Sequence, residues 1–282
     1  MAKSLMIQGT ASGVGKTIIT LALCRIFKQD GYATAPFKAQ NVTTNTWFTE
    51  TGAEIAVSQW LQALAAGIKP SVEMNPVILK ILPEQKATQI VVNGKHLHKI
   101  NPYTFKDIKQ SLVPEINQAY ASLDKKYDAL IIEGAGSPVE LNLNQADIVN
   151  MGMAKQAQAP VILVADIDRG GAFASLYGTI NLLPEAERAY VKAIIINRFK
   201  GDPDHFAAGV KIIEDITQLP VAGVVPDFKI NLPEEDSLFD GSSSLDHSAN
   251  FTAEFDRIAA NMRQALNMDL IYQVLNAGVT KS

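Results

Sequence analysis

The 282-residue sequence has one cysteine, Cys24, so no disulfide can form within the chain and a disulfide-stapled scaffold is excluded. Cys24 falls among Leu21, Leu23 and Ile26, which reads as core rather than as a reactive thiol. Histidine is scarce as well. His96 and His98 alternate along a strand-like stretch with no third ligand beside them, and His205 and His247 stand alone, so no donor set for a histidine metal centre is in view. Charged residues are only 19%, with 25 basic against 29 acidic, a net charge of −4. A chain held to nucleic acid through phosphate contacts would be more basic. No apolar run reaches the roughly 18 residues that a bilayer span needs. Met1-Ala2-Lys3-Ser4 leads into a strand-like run, not into the apolar region of a signal peptide. The expectation is a cytoplasmic protein with neither nucleic acid nor membrane as partner.

What the chain does have is apolar material, 47% of its residues, enough for a sizeable core. Leu5-Met6-Ile7-Gln8 reads as a strand, Lys16 to Lys28 as a helix with Ile19, Leu23, Ile26 and Phe27 on one face, and Tyr32 to Phe37 as a second strand. Helices are expected over Ala53 to Ala66 and Tyr103 to Leu123, with a strand and turn at Ile90 to Lys95. Ala129 to Ile132, Val161 to Val164 and Ala193 to Ile196 are continuous apolar runs, as strands covered on both faces require. Helical stretches near 146–157, 171–183 and 204–217 separate them, and Val221 to Val225 is a further strand. Such alternation predicts an α/β fold with a doubly wound, mostly parallel sheet, its ligand-binding loops at the carboxyl ends of the strands. The expected division is a main domain over 1–235, a linker over 236–250 around Gly241 to Ser244, and a helical tail over 251–282, with one helix from Phe251 to about Leu275.

Gly9-Thr10-Ala11-Ser12-Gly13-Val14-Gly15-Lys16-Thr17 lies between a strand and a helix. Glycines there let successive N–H groups turn toward phosphate oxygens, and the helix start adds its positive dipole end. Lys16 would reach the terminal phosphates of ATP and the Thr17 hydroxyl would ligate Mg²⁺, while Thr10, Gly13, Val14 and Gly15 supply the backbone cradle. Five residues separate Gly9 from Gly15, one more than the common phosphate-loop pattern has.

Acidic and polar groups recur at the strand ends. Glu133 ends a buried strand, as a Mg²⁺ ligand beside a phosphate loop would. Lys38 follows the second strand, as a surface lysine or as a point charge for a transferring phosphoryl group. Glu54 is expected to open a helix after the Thr43-to-Thr51 loop, either as a dipole partner or as a second metal ligand. Asp166, Asp168 and Arg169 either bind metal, phosphate or substrate or form a structural ion-pair network. Asn197 could read an adenine edge or cap a turn.

Several blocks occur together in order: Ala35-Pro36-Phe37-Lys38-Ala39-Gln40-Asn41, Gln62-Ala63-Leu64-Ala65-Ala66-Gly67, Met74-Asn75-Pro76-Val77, Glu133-Gly134-Ala135-Gly136-Ser137-Pro138, Asp147-Ile148-Val149-Asn150-Met151-Gly152 and Asn197-Arg198-Phe199-Lys200-Gly201-Asp202. With the phosphate loop and Asp166 to Gly171 they resemble the cobyric acid synthases from about Leu5 to Asp236. The resemblance implies a P-loop NTPase fold similar to dethiobiotin synthetase, which shares the five-residue spacing. It implies ATP- and Mg²⁺-dependent amidation of corrin side-chain carboxylates in cobalamin biosynthesis, through acyl phosphates, with Lys16, Lys38 and Glu133 in the chemistry. Gln40, Asn41, Asn75, Asp166, Asp168 and Arg169 are then candidates for the corrinoid substrate side, and relatives imply a homodimer. The family also carries a glutaminase with a cysteine nucleophile, for which this sequence offers only Cys24. The expectation is therefore ammonia from outside the chain, from solution or from a separate glutaminase.

Rival readings have their own signatures. The enzyme that amidates the a and c carboxylates of the same macrocycle is similar, but the Pro36-to-Asn41 and Met74-to-Pro76 blocks favour cobyric acid synthase. Dethiobiotin synthetase acts on a small diamine, for which the loop from Gln40 to Phe48 is excessive. A non-catalytic ATPase switch would carry an extra lysine early in the phosphate loop, where Gly9-Thr10-Ala11-Ser12 has none. An inactive scaffold would not need Lys16, Thr17 and Glu133 intact.

Overall fold

The computed structural model describes residues 1–82, 87–100, 108–141, 147–233 and 251–278. Its centre is a six-stranded sheet in the order β12-β11-β10-β1-β9-β2, every neighbouring pair parallel. The strands are β1 (Lys3–Gly9), β2 (Thr34–Phe37), β9 (Ala129–Glu133), β10 (Val161–Asp166), β11 (Val191–Phe199) and β12 (Val221–Pro226). Parallel pairing sends every chain reversal through a crossover, so the carboxyl ends of β1, β9, β10 and β11 share one edge. Their apolar runs are buried on both faces, which is why they carry no alternation.

Among the described residues, the helices flanking the sheet are α1 (Lys16–Gln29), α2 (Val57–Ala65), α3 (Val113–Asp124), α4 (Met151–Ala157), α5 (Ala172–Leu182), α6 (Glu185–Arg188), α7 (Ala207–Thr217), α8 (Thr252–Ala265) and α9 (Met268–Ala277). Helix α1 lies nearest the core: Ile19, Leu23, Ile26 and Phe27 are fully buried, each contributing about 1.5–3 kcal/mol of apolar burial. None of the helices is long and apolar enough to cross a membrane.

The doubly wound architecture agrees with the sequence reading, and several local expectations do not. Residues 54–56 are not helical: β4 (Thr46–Phe48) and β5 (Glu54–Ala56) form an antiparallel hairpin, and α2 begins only at Val57. Gln40 to Thr43 is a strand, β3, which joins β6 (Val77–Leu82), β7 (Ala87–Val92) and β8 (Lys95–Ile100) in a second, mixed sheet ordered β3-β6-β7-β8. Trp47 of the hairpin stacks on Trp60 of α2, ring centroids 4.3 Å apart, which gives the short hairpin its apolar footing. The helix expected over 146–157 is described from Met151. Asp147 turns the chain before it, its carboxylate accepting from the backbone N–H groups of Val149, Asn150 and Gly152. Of the helix expected from Tyr103, residues 101–107 lie outside the described residues, and α3 starts at Val113 after a 3₁₀ turn, Gln110–Leu112.

The single C-terminal helix is two. The break is at Leu266 and Asn267, where Leu266 bridges to Gly223 and the Asn267 side chain caps α9 by accepting from Leu270 N–H at 3.0 Å. Both helices pack on the main body: Phe255, Ile258, Ala259 and Met262 of α8 and Ile271 of α9 are buried, and Arg25 of α1 reaches Asp256 at 2.8 Å. The expected linker over 236–250, with His247, lies outside the described residues.

Candidate active site

The turn from β1 into α1 curls as its glycines permit. Gly13 and Gly15 both have left-handed backbones, φ 73° and 98°. Gly15 has a second reason to lack a side chain, since a Cβ there would lie 2.1 Å from the Asn197 amide nitrogen. That amide donates to the Val14 carbonyl at 2.8 Å, so the end of β11 braces the loop. Thr10 N–H donates to Val164 O at 2.9 Å and ties the other end of the loop to β10. Asn197, read from sequence as an adenine contact or a turn cap, thus places its amide nitrogen on the loop itself.

Lys16 is buried, and its ammonium donates to the carbonyls of Ala11 at 3.0 Å and Gly136 at 3.1 Å. The Gly136 carbonyl is held in place from a distance. Asn150 bonds Ala135 through its backbone N–H and carbonyl and Ser137 through its carbonyl, which fixes the loop after β9. A Cβ on Gly134 would lie 2.4 Å from the Asn150 oxygen, so this approach requires glycine.

Glu133 is the hub. It is 1% exposed. Its Oε1 accepts from Thr17 Oγ1 at 2.9 Å and from Lys38 Nζ at 2.9 Å, and its Oε2 accepts from Gln62 Nε2 at 2.7 Å. The three strands β1, β9 and β2 stand side by side, so Thr17, Glu133 and Lys38 converge from neighbouring carboxyl ends. Lys38 is fixed through its backbone: its N–H donates to Met74 O at 2.8 Å and its carbonyl accepts from Asn75 at 3.0 Å. Gln62 and Gln59, both fully buried on α2, extend the network to Asn41 and Ser58. Neither glutamine carried a role in the sequence reading. The available signal is amide groups three residues apart on an otherwise apolar helix face.

Other candidates separate. Gln40 and Asn41 point to opposite faces of β3. Asn41 faces α2, whereas Gln40 and Asn75 are buried with their side-chain oxygens unpartnered, Gln40 pairing in register with Val77. Glu54 does not join Thr17 and Glu133. It is buried in β5, where it bonds Thr46 at 2.5 Å, His96 at 2.6 Å, and Lys80. Burial alone would raise its carboxyl pKa, but the hydrogen bonds from Lys80 and Thr46, the Lys80 charge and His96 hold it below the ordinary glutamate value. It thus serves the second sheet, and its expected place at a helix start is corrected. Asp166 at the end of β10 pairs with Arg198 at 2.8 Å and with Arg169 at 3.9 Å, and Asp168 pairs with Lys200 at 2.6 Å, the network that was one of its two readings. Burial, then the charge of Glu133, pushes the Cys24 thiol up, consistent with a core role.

A cleft of about 560 Å³ lies at this edge, lined by Gly13, Gly15, Lys16 and Thr17 and also by Arg169 and Arg198.

A family model described as an AAA domain matches residues 3–231. The cobyric acid synthase of Lachnoclostridium phytofermentans is 52% identical over 242 residues, 84% of this chain and 47% of that protein. That of Streptococcus sanguinis is 50% identical over 254 residues, 87% of this chain and 51% of that protein. The chain spans about half the length of the curated relatives it matches. Among solved structures, the MinD cell division protein of Aquifex aeolicus is similar with a TM-score of 0.46 and 13% identity, covering 100% of this chain and 98% of that one.

Proposed function

Because the chain belongs to the AAA domain family and matches one half of the cobyric acid synthases at about 50% identity, we propose that it is an ATP-dependent amidating ligase that acts on side-chain carboxylates of a corrinoid. The observation that carries the reading is the convergence of Thr17, Lys38 and Gln62 on Glu133 beside the phosphate loop.

A carboxylate oxygen is a poor leaving group, so amidation needs prior activation. The substrate carboxylate takes the γ-phosphoryl group of ATP, ADP leaves, and ammonia then displaces phosphate from the acyl phosphate. Lys16 and Lys38 stabilise charge on the moving phosphoryl group, the chief means open to such an enzyme. The phosphate loop and the start of α1 hold the remaining phosphates through backbone N–H groups. The donor set fits Mg²⁺. It consists of the Thr17 hydroxyl and the Glu133 carboxylate, oxygen ligands of the kind a hard cation takes. Bound there, Mg²⁺ would neutralise phosphate charge. Gln62 and Lys38 orient the Glu133 carboxylate for that role.

The substrate within this reading is adenosylcobyrinic acid a,c-diamide, with Gln40 and Asn75 on its side of the site, Asp166, Asp168 and Arg169 kept to the ion-pair network at the end of β10, and ammonia supplied from outside the chain. The test is ATP turnover with substrate carboxylates labelled with oxygen-18 and ammonium as donor. Label recovered in inorganic phosphate is the expected result. ADP formation without transfer of label contradicts the acyl-phosphate route.

A further inference from the structure

Thr17, Glu133 and Lys38 lie on the β9–β2 side of β1, so the reactive end of a nucleotide in the cleft faces that side. Its nucleoside end then faces β10, β11 and β12. The apolar lining of the cleft comes from two places: Ile18 and Leu21 of α1 with Leu61 of α2, and Ile230, Leu232 and Pro233 of the segment after β12. Such walls suit a flat base.

The second wall has no regular structure of its own. After β12, residues 227–233 belong to neither helix nor strand. The segment is held from α8. Asn231 N–H donates to Glu254 Oε1 at 2.8 Å, and Arg257 donates to the Lys229 carbonyl at 2.6 Å. Arg257 grips Glu254 with two bonds, 2.8 and 2.6 Å, and its guanidinium lies 5.8 Å from the centroid of the Phe228 ring. The hydrogen bond from Arg257 is the main reason the Glu254 carboxyl is held down to about 2, so the pair stays charged across the working range of pH. Helix α8 is itself anchored by its buried face and by Arg25 on Asp256.

We propose that Glu254 and Arg257 clamp the 228–233 segment against the phosphate-loop cleft, so that the C-terminal helix α8 sets the affinity for the nucleoside end of the nucleotide. The proposal rests on the ATP reading above and deepens it. Glu254 and Arg257 are positioning residues, remote from the phosphoryl group, and they act on binding rather than on chemistry.

The test uses the 282-residue chain, with calorimetric titration of Mg-ATP and steady-state kinetics on Glu254→Ala, Arg257→Ala, Arg257→Lys and Leu232→Ala. Losing a charge-assisted hold of this kind weakens ATP binding about tenfold. KM for ATP rises equally, while kcat at saturating ATP and KM for ammonium stay at wild-type values. Arg257→Lys keeps the charge but not the fork and recovers part of the loss. Leu232→Ala alters the wall itself and gives the same signature, so wild-type affinity in it overturns the proposal even should the α8 variants fail to fold. Wild-type affinity in all variants overturns the clamp, as does a fall in kcat with KM unchanged. A wild-type chain that binds no ATP overturns both the clamp and the ligase reading, whereas ATP binding without amidation leaves the clamp to be decided by the variants.

Discussion

At the scale of single residues, Glu133 bears the largest electrostatic stake. Its carboxylate and the Lys38 ammonium are both buried, at 2.9 Å. Removing one partner leaves the other charge stranded, and Glu133→Ala is expected to cost roughly 3 kcal/mol of stability as well as activity. Adding Lys38→Met to that variant restores much of the stability and none of the turnover. Denaturant titration of the single and double variants checks this, and equal stability of wild type and single variant contradicts it. Lys16→Ala is expected to abolish ATP turnover while the chain stays folded, because the bonds to the Ala11 and Gly136 carbonyls that it removes lie within the loops and not in the sheet core. Undiminished ATP consumption in that variant refutes the phosphate-loop assignment. The residues legible in the sequence here are those whose chemistry is local, Lys16, Thr17 and Glu133. The bracing by Asn197 and Gln62 was not legible. Asn197 meets Val14 across 183 positions and Gln62 meets Glu133 across 71, and no local pattern encodes such pairings.

At the scale of elements, β1, β9, β10 and β11 announce themselves as apolar runs because both faces are covered. Strands β3, β4 and β5 do not: they are three or four residues long, and Gln40-Asn41-Val42-Thr43 has almost no apolar content. Glu54-Ile55-Ala56 continues the helical spacing of α2 and so reads as its first turn, whereas pairing with Thr46 to Phe48 makes it a strand. The Glu54 cluster joins this hairpin to the second sheet through Lys80 and His96. Its pKa folded lies below the unfolded value near 4.5, so the folded chain binds fewer protons at this site. Its contribution is therefore complete above that pH and is lost as pH falls through the lowered value. Glu54→Gln is expected to be less stable at neutral pH and to show a flatter decline in acid, measured as melting temperature against pH. A parallel decline in both proteins contradicts the assignment. At the other end, Asn267 marks the break between α8 and α9. Asn267→Ala removes the cap and is expected to cost about 1 kcal/mol, a fall in Tm of about 2–4 °C.

At the scale of the whole molecule, alternation of strand and helix made the doubly wound sheet legible, whereas the docking of α8 and α9 on α1 was not. Their amphipathic faces show that they pack, not on what. The partners become visible only in space, in Arg25 with Asp256, Arg263 with Asp30, and Phe27 stacked on Tyr272. The same arrangement places the phosphate loop, Glu133 and Lys38 on one edge, with α8 holding the cleft-lining segment after β12. The central claim is that this assembly activates a corrinoid carboxylate with ATP for attack by ammonia. The most direct measurement is the mass spectrum of adenosylcobyrinic acid a,c-diamide after incubation with the chain, ATP, Mg²⁺ and ammonium, with a parallel sample lacking ATP. Stepwise conversion of carboxylates to amides, only with ATP, is the predicted result. An unchanged spectrum from a chain that binds ATP contradicts the account.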